Sequence, residues 1–137
     1  MRFADTSVLL YAISRDPSER AKAEVASRLL SSHDLALSVQ VLQEFYAQAT
    51  HSGRSDRLTH AQAAGLVESF RRFPVQEITV GLALAAADAA CRLEISYWDA
   101  AILEAARQLE CDVVLSEDLA DMHTYGDVRV VNPFDGY

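Results

Sequence analysis

Apolar positions along the chain alternate between two rhythms: short runs of three or four residues, and longer stretches in which they recur three and four apart. The short runs at 2–5, 35–37, 75–78, 112–115 and 128–131 read as strands. Between them the spacing predicts helices. The first covers 6–14 through Val8, Leu9, Leu10 and Ile13. The second opens on Asp16-Pro17-Ser18-Glu19, where Asp caps, Pro takes the first helical position and Glu completes a capping box, and runs to about 32. Ser38 caps a helix carrying Val41, Leu42, Phe45 and Tyr46, and Thr59 caps another that ends near Phe73-Pro74. Further helices begin at Thr79 and at Ser96, the latter reaching about 109. The polar stretch 51–58, with Gly53, reads as an exposed loop. Short apolar strands separated by helices make βαβ units, so the expected fold is α/β: a mostly parallel sheet of about five strands with helices on both faces.

Length and composition bound this picture. A chain of 137 residues, 50% apolar and 23% charged, with five Gly and three Pro, makes one globular domain over 1–137. No repeat or Pro/Gly/Ser-rich linker divides it. Twenty acidic against twelve basic residues give a net charge of −8, which argues against holding phosphates on a broad basic surface. Lys22 is the only lysine and no Gly-rich phosphate loop appears, so a Walker-type nucleotide site is excluded. Cys91 and Cys111 lack a CxxC partner or a nearby ligand cluster and are expected to be reduced core thiols. The N-terminus has no apolar leader, and the longest apolar stretch, near Leu82, is interrupted by Asp88. The expectation is a cytoplasmic protein with no membrane segment.

In open α/β sheets the ligand crevice lies beyond the carboxyl ends of the strands. Asp5 ends the first strand and Asp118 follows the Val113-Val114-Leu115 strand by three residues, so both project toward one crevice. Glu44 and Asp99 come early on helices that follow strand ends, which allows all four acids to converge. Each has a plainer competing explanation: a helix cap for Asp5, a solvated helix edge for Glu44, an S-x-x-D capping box with Ser96 for Asp99, a solvated turn for Asp118.

Converging carboxylates need a counter-charge. One pair at about 4 Å repels by about 4 kcal/mol at an effective dielectric of 20. A divalent cation resolves this, and an oxygen-only ligand set favours Mg²⁺ or Mn²⁺ over Zn²⁺. The hydroxyls of Thr6, Ser7 and Ser116 are candidates for supporting these ligands or positioning water, or for capping a backbone turn.

At these residues the chain resembles a known family. Phe3-Ala4-Asp5-Thr6-Ser7-Val8-Leu9-Leu10-Tyr11, Gln43-Glu44-Phe45, Ser96-Tyr97-Trp98-Asp99-Ala100-Ala101-Ile102-Leu103 and Leu115-Ser116-Glu117-Asp118-Leu119 look like the acidic motifs of PIN-domain ribonucleases. The nearest likeness is to VapC-type toxins of bacterial toxin–antitoxin pairs. The ending Val128-Arg129-Val130-Val131-Asn132-Pro133-Phe134 looks like that group too, so the likeness runs in order through essentially the whole chain. It implies metal ligation by Asp5 and Asp99, with Glu44 and Asp118 completing the acidic cluster, and Glu117 or Asp121 as substitutes for Asp118. Ser7 stands where many members carry Asn.

The resemblance further implies Mg²⁺-dependent hydrolysis of RNA by activated water, leaving 5′-phosphate and 3′-hydroxyl ends. It implies a cognate antitoxin that occludes the crevice, and a homodimer. Arg15 and Arg20, with Lys22, Arg28, Arg54 and Arg57, are candidates for positioning substrate or are solvated surface charges. His33, His51, His60 and His123 fall outside the acidic motifs, so a metal-free His-pair ribonuclease is not suggested. A PIN-like module that binds RNA or protein without cutting is the competing class. A receiver domain fits poorly, because it would want a lysine after a late strand and Lys22 comes early. Two bound divalent cations would take the charge from −8 to −4, with the compensation focused where phosphate must sit.

Overall fold

A computed structural model describes residues 1–119 and 124–135. Its strands are β1 (Arg2–Ala4), β2 (Leu35–Ser38), β3 (Val75–Gln76), β4 (Val113–Leu115), β5 (Thr124–Tyr125) and β6 (Val128–Val131). Its helices are α1 (Thr6–Ala12), α2 (Arg20–Leu30), α3 (Val39–Ala49), α4 (His60–Phe70), α5 (Val80–Leu93) and α6 (Tyr97–Gln108). The sheet order is β3-β2-β1-β4-β6-β5, with every pairing parallel except that of β5 with β6.

This order places the site. From β1 the chain steps outward to β2 and β3 through α1 to α4, then returns through α5 and α6 to β4 on the other side of β1. Right-handed crossovers in opposite directions put the two helix groups on opposite faces. In agreement, α1 packs on α2 and α3, α3 packs on α4, and α5 packs on α6, which lies across β2, β3, β4 and β6. The winding reverses between β1 and β4, and a crevice opens at their carboxyl ends. Central strands covered on both faces are apolar throughout: Phe3, Ala4, Leu35, Ala36, Leu37, Val114 and Leu115 are buried, and α1, α3 and α6 contribute Val8, Leu9, Val41, Phe45 and Leu103.

Several boundaries differ from the sequence expectation. The sheet has six strands rather than about five, because β5 is a two-residue strand turned back on β6 through Gly126, whose φ of +56° suits the tight turn. The helix expected from Asp16 begins as a 3-10 turn over Pro17–Glu19, and α2 proper starts at Arg20. Asp16 caps that turn, but the capping box is incomplete. The Ser14 hydroxyl donates to the Glu19 carboxylate at 2.6 Å and accepts the Asp16 amide at 3.2 Å, leaving no backbone donor for Glu19 at the cap. Both cysteines are free, but only Cys111 is in the core, where burial raises its thiol pKa; Cys91 lies on the exposed side of α5. Among the described residues no helix is long and apolar enough to cross a membrane.

Candidate metal and RNA site at the β1–β4 crevice

Asp5 follows β1 and is the N-cap of α1, so the plainer reading of it holds, and its second oxygen is turned to the strand end beyond β4. One carboxylate oxygen accepts the Thr6 amide at 2.7 Å and the other accepts the Ser116 hydroxyl at 2.7 Å. The residue is only 7% exposed. Burial raises its pKa to about 6, and the negative charges of Glu44 and Asp118 push in the same direction against the two hydrogen bonds. Two of the other acids singled out from the sequence thus lie close enough to bear on Asp5.

Each is delivered by local structure. Glu44 projects from α3, and its Oε1 accepts the Thr6 hydroxyl at 2.9 Å, tying α3 to the start of α1. Asp118 stands exposed in the turn after β4. The fully buried Ser116 hydroxyl organises that turn, donating to Asp5 and accepting the amides of Asp118 at 3.1 Å and Leu119 at 3.2 Å. Asp99 is half-buried in the first turn of α6, where its amide donates to Ser96 Oγ at 3.0 Å. Only that half of a capping box forms, unlike the complete one at Thr59 and Gln62. The Gln40 side chain on α3 donates to the Trp98 carbonyl at 3.2 Å, which draws the start of α6 to the helix that carries Glu44 one turn later.

Glu117 plays a different part from its neighbour Asp118. The Tyr11 hydroxyl and the Lys22 ammonium each reach its carboxylate at 2.6 Å, and these contacts hold it below the usual carboxylate range although burial opposes them. Its amide leans on the Ser7 hydroxyl at 3.5 Å. Among the described residues Glu117 is therefore the paired acid of this turn and Asp118 the one without a charged partner. Asp121 and His123 lie outside the described residues.

Beside the turn that bears Asp118 opens a cleft of about 210 Å³, with Ser7, Tyr11, Gln48, Arg54, Glu117 and Asp118 in its wall; Asp5, Glu44 and Asp99 do not line it. Arg15 and Arg20 are not in it; together with Arg28 they line a separate groove beside α2. Tyr11 and Gln48 escaped the sequence reading, although each sits one helical turn beyond a residue that was chosen, Ser7 and Glu44.

Among the described residues no group of three His, Cys, Asp or Glu side chains stands ready to hold an ion. Hydrogen bonds from Thr6 and Ser116 hold the carboxylates in separate settings. The donor set still suits a hard divalent cation: it is all oxygen, and mutual repulsion disfavours the charged form of the buried member.

The PIN-domain family profile matches residues 2–124. No curated protein matches the sequence. Among solved structures the chain is similar to VapC20 of Mycobacterium tuberculosis, described as a sarcin–ricin-loop-cleaving toxin, at 20% identity and a TM-score of 0.68 over 94% of this chain and 99% of that one. It is similar to a toxin–antitoxin complex from Klebsiella pneumoniae at 16% identity and a TM-score of 0.70 over 97% and 98%. DNA-bound VapBC from Salmonella typhimurium is similar at 19% identity and a TM-score of 0.67, over 96% and 97%. At such identities the likeness speaks to the fold.

Proposed function

Because the chain belongs to the PIN-domain family, we propose that it is a Mg²⁺-dependent endoribonuclease of the VapC toxin type, for which Mn²⁺ can substitute. The observation that carries this reading is the juxtaposition of buried Asp5 with Glu44 and Asp118 where the winding of the sheet reverses. Asp5, Glu44, Asp99 and Asp118 would hold the cation. When bound, it supplies Lewis acidity to the attacking water and to the phosphate.

The chain's own groups account for the rest. Ser116 fixes the Asp5 carboxylate and shapes the turn that presents Asp118, while Thr6 fixes Glu44. Asp118, exposed at the cleft surface, would receive a proton from the attacking water. Lys22 and Tyr11 keep Glu117 away from the acid cluster. The net charge of −8 leaves RNA to be gripped locally, and suits a basic segment of a cognate antitoxin laid over the cleft. A protein partner, the antitoxin or a second copy of this chain, is supported by apolar side chains left in water: Val80 (77% exposed) and Leu84 (68%) one turn apart on α5, and Trp98 (64%) on α6.

The test is incubation of the purified chain with cellular RNA in millimolar Mg²⁺ or Mn²⁺, and in chelator. Cleavage is expected only with metal, and is expected to disappear in Asp5→Asn and Asp99→Asn variants that keep the fold. Metal-independent cleavage, or none with either ion, contradicts the proposal.

A further inference from the structure

Of the described residues lining the cleft Arg54 alone is basic, and it shares that lining with Glu19, Glu117 and Asp118. Its position is built rather than incidental. The 51–58 loop is pinned by Arg54 N donating to the His51 carbonyl at 3.0 Å, by Arg57 N donating to the Arg54 carbonyl at 3.3 Å, and by Leu58 N returning to the Ala49 carbonyl at 2.8 Å. Asp56 spans two segments, accepting the Arg15 amide on one oxygen at 2.8 Å and lying 2.8 Å from Arg54 Nε with the other.

That ion pair leaves the guanidinium incompletely used. Nε is buried and, despite its closeness to Asp56, has no hydrogen bond of proper geometry. Among the described residues Asp56 is the one acidic partner of the guanidinium, which leaves most of its five donors free. A planar fork with unspent donors, on the wall that carries Asp118, is the arrangement that grips a phosphate by two parallel hydrogen bonds. Asp56 then restrains the arginine and weakens its charge until a stronger acceptor arrives.

We infer that Arg54 is a phosphate-binding residue of the cleft, holding an RNA backbone phosphate next to the one presented to the acid cluster, with Asp56 as the counter-ion that tempers its grip. The inference rests on the nuclease reading. It also reassigns substrate binding from Arg15 and Arg20, whose groove lies elsewhere, to a loop arginine.

The experiment measures binding of a fluorescein-labelled mixed-sequence single-stranded RNA oligonucleotide in Ca²⁺ across a salt series, and KM and kcat for its cleavage in Mn²⁺. The full-length wild type is compared with Arg54→Gln, Arg54→Lys and Asp56→Asn, each checked by thermal melting. Arg54→Gln is expected to weaken binding by about tenfold, raise KM more than it lowers kcat, and flatten the log Kd versus log salt slope by about 0.7, the loss of one phosphate contact to a single strand. Arg54→Lys is expected to recover the slope and part of the affinity. Asp56→Asn is expected to tighten binding by several-fold, because it relieves Arg54 of its counter-charge.

The opposite signs at Arg54 and Asp56 separate binding from loop stability, since a structural role makes both substitutions harmful. If Arg54→Gln matches a wild type that cleaves, in affinity and slope, or if Asp56→Asn weakens binding as Arg54→Gln does, the assignment of Arg54 is overturned and the nuclease reading stands. A wild type that neither binds nor cleaves the RNA overturns both.

Discussion

Ser116 Oγ donates to Asp5 Oδ2 at 2.7 Å, a buried contact that joins the ends of the two strands flanking the crevice. The same hydroxyl accepts the amides of Asp118 and Leu119, so one side chain both lowers the pKa of Asp5 and shapes the turn bearing Asp118. Ser116→Ala should therefore do two things at once. Removing the donor raises the pKa of Asp5 further above 6, and the midpoint for Mn²⁺ binding against pH moves to higher pH. Leaving buried partners unsatisfied costs about 1–3 kcal/mol of stability, measured by urea unfolding.

The raised pKa of Asp5 makes the metal-free protein sensitive to pH in an unusual direction. Its ordinary value is 3.8 and its folded value is about 6, so between these the folded state binds more protons than the unfolded state. The favourable contribution is complete below about pH 4 and is lost as pH rises through 6, an effect on the order of 3 kcal/mol at most. In chelator, the part of the melting temperature that depends on Asp5 should fall over that window. Asp5→Asn should remove this component and make the chain more stable at neutral pH, and the stabilisation by Mn²⁺ seen at pH 7.5 should vanish with it. Differential scanning calorimetry of both proteins at pH 4.5, 6 and 7.5 checks this.

Lys22 and Glu117 act on the cluster through charge. Lys22→Met exposes the Glu117 carboxylate beside Asp118, which should tighten Mn²⁺ binding at low salt. Glu117→Gln leaves Lys22 uncompensated and should weaken it. Both changes are expected to be a few-fold and to shrink in high salt, since each partner is about a third exposed, with 34% and 28% of its side-chain surface in water. Mn²⁺ titration followed by electron paramagnetic resonance at two salt concentrations reads both.

Glu104 anchors the far end of the sheet. It is 2% exposed and is gripped by the Arg107 guanidinium and the Tyr125 hydroxyl, which hold its carboxyl below the usual range in spite of burial. Stability from this group is present above its unfolded pKa of 4.5 and is lost as pH falls through the lower folded value. Tyr125→Phe should cost about 1–2 kcal/mol in urea unfolding and leave metal affinity unchanged, because β5 is the edge strand, separated from β4 by β6.

The central sheet was legible in the sequence because its strands are buried on both faces and read as plain apolar runs, such as Leu35-Ala36-Leu37 and Val113-Val114-Leu115. Strand β5 was missed because two residues, one exposed, carry no such run; the Gly126-Asp127 turn was its one signal. At the site, Asp5 and Asp118 followed from the strand-end rule. The division of labour between Glu117 and Asp118 did not, because it depends on Tyr11 and Lys22, which are 106 and 95 residues away from Glu117 in sequence. Arg54 was visible as one loop arginine among several, and only the fold shows it in the cleft wall while Arg15 and Arg20 face another groove.

The ends of the cut RNA test the central claim most directly. With purified chain, a defined single-stranded RNA and Mg²⁺, ligation-based mapping should find 5′-phosphate and 3′-hydroxyl termini, and none above background with Asp5→Asn or in chelator. Fragments ending in 2′,3′-cyclic phosphate, or cuts that persist in Asp5→Asn, would contradict hydrolysis by a water activated at the Asp5 cluster.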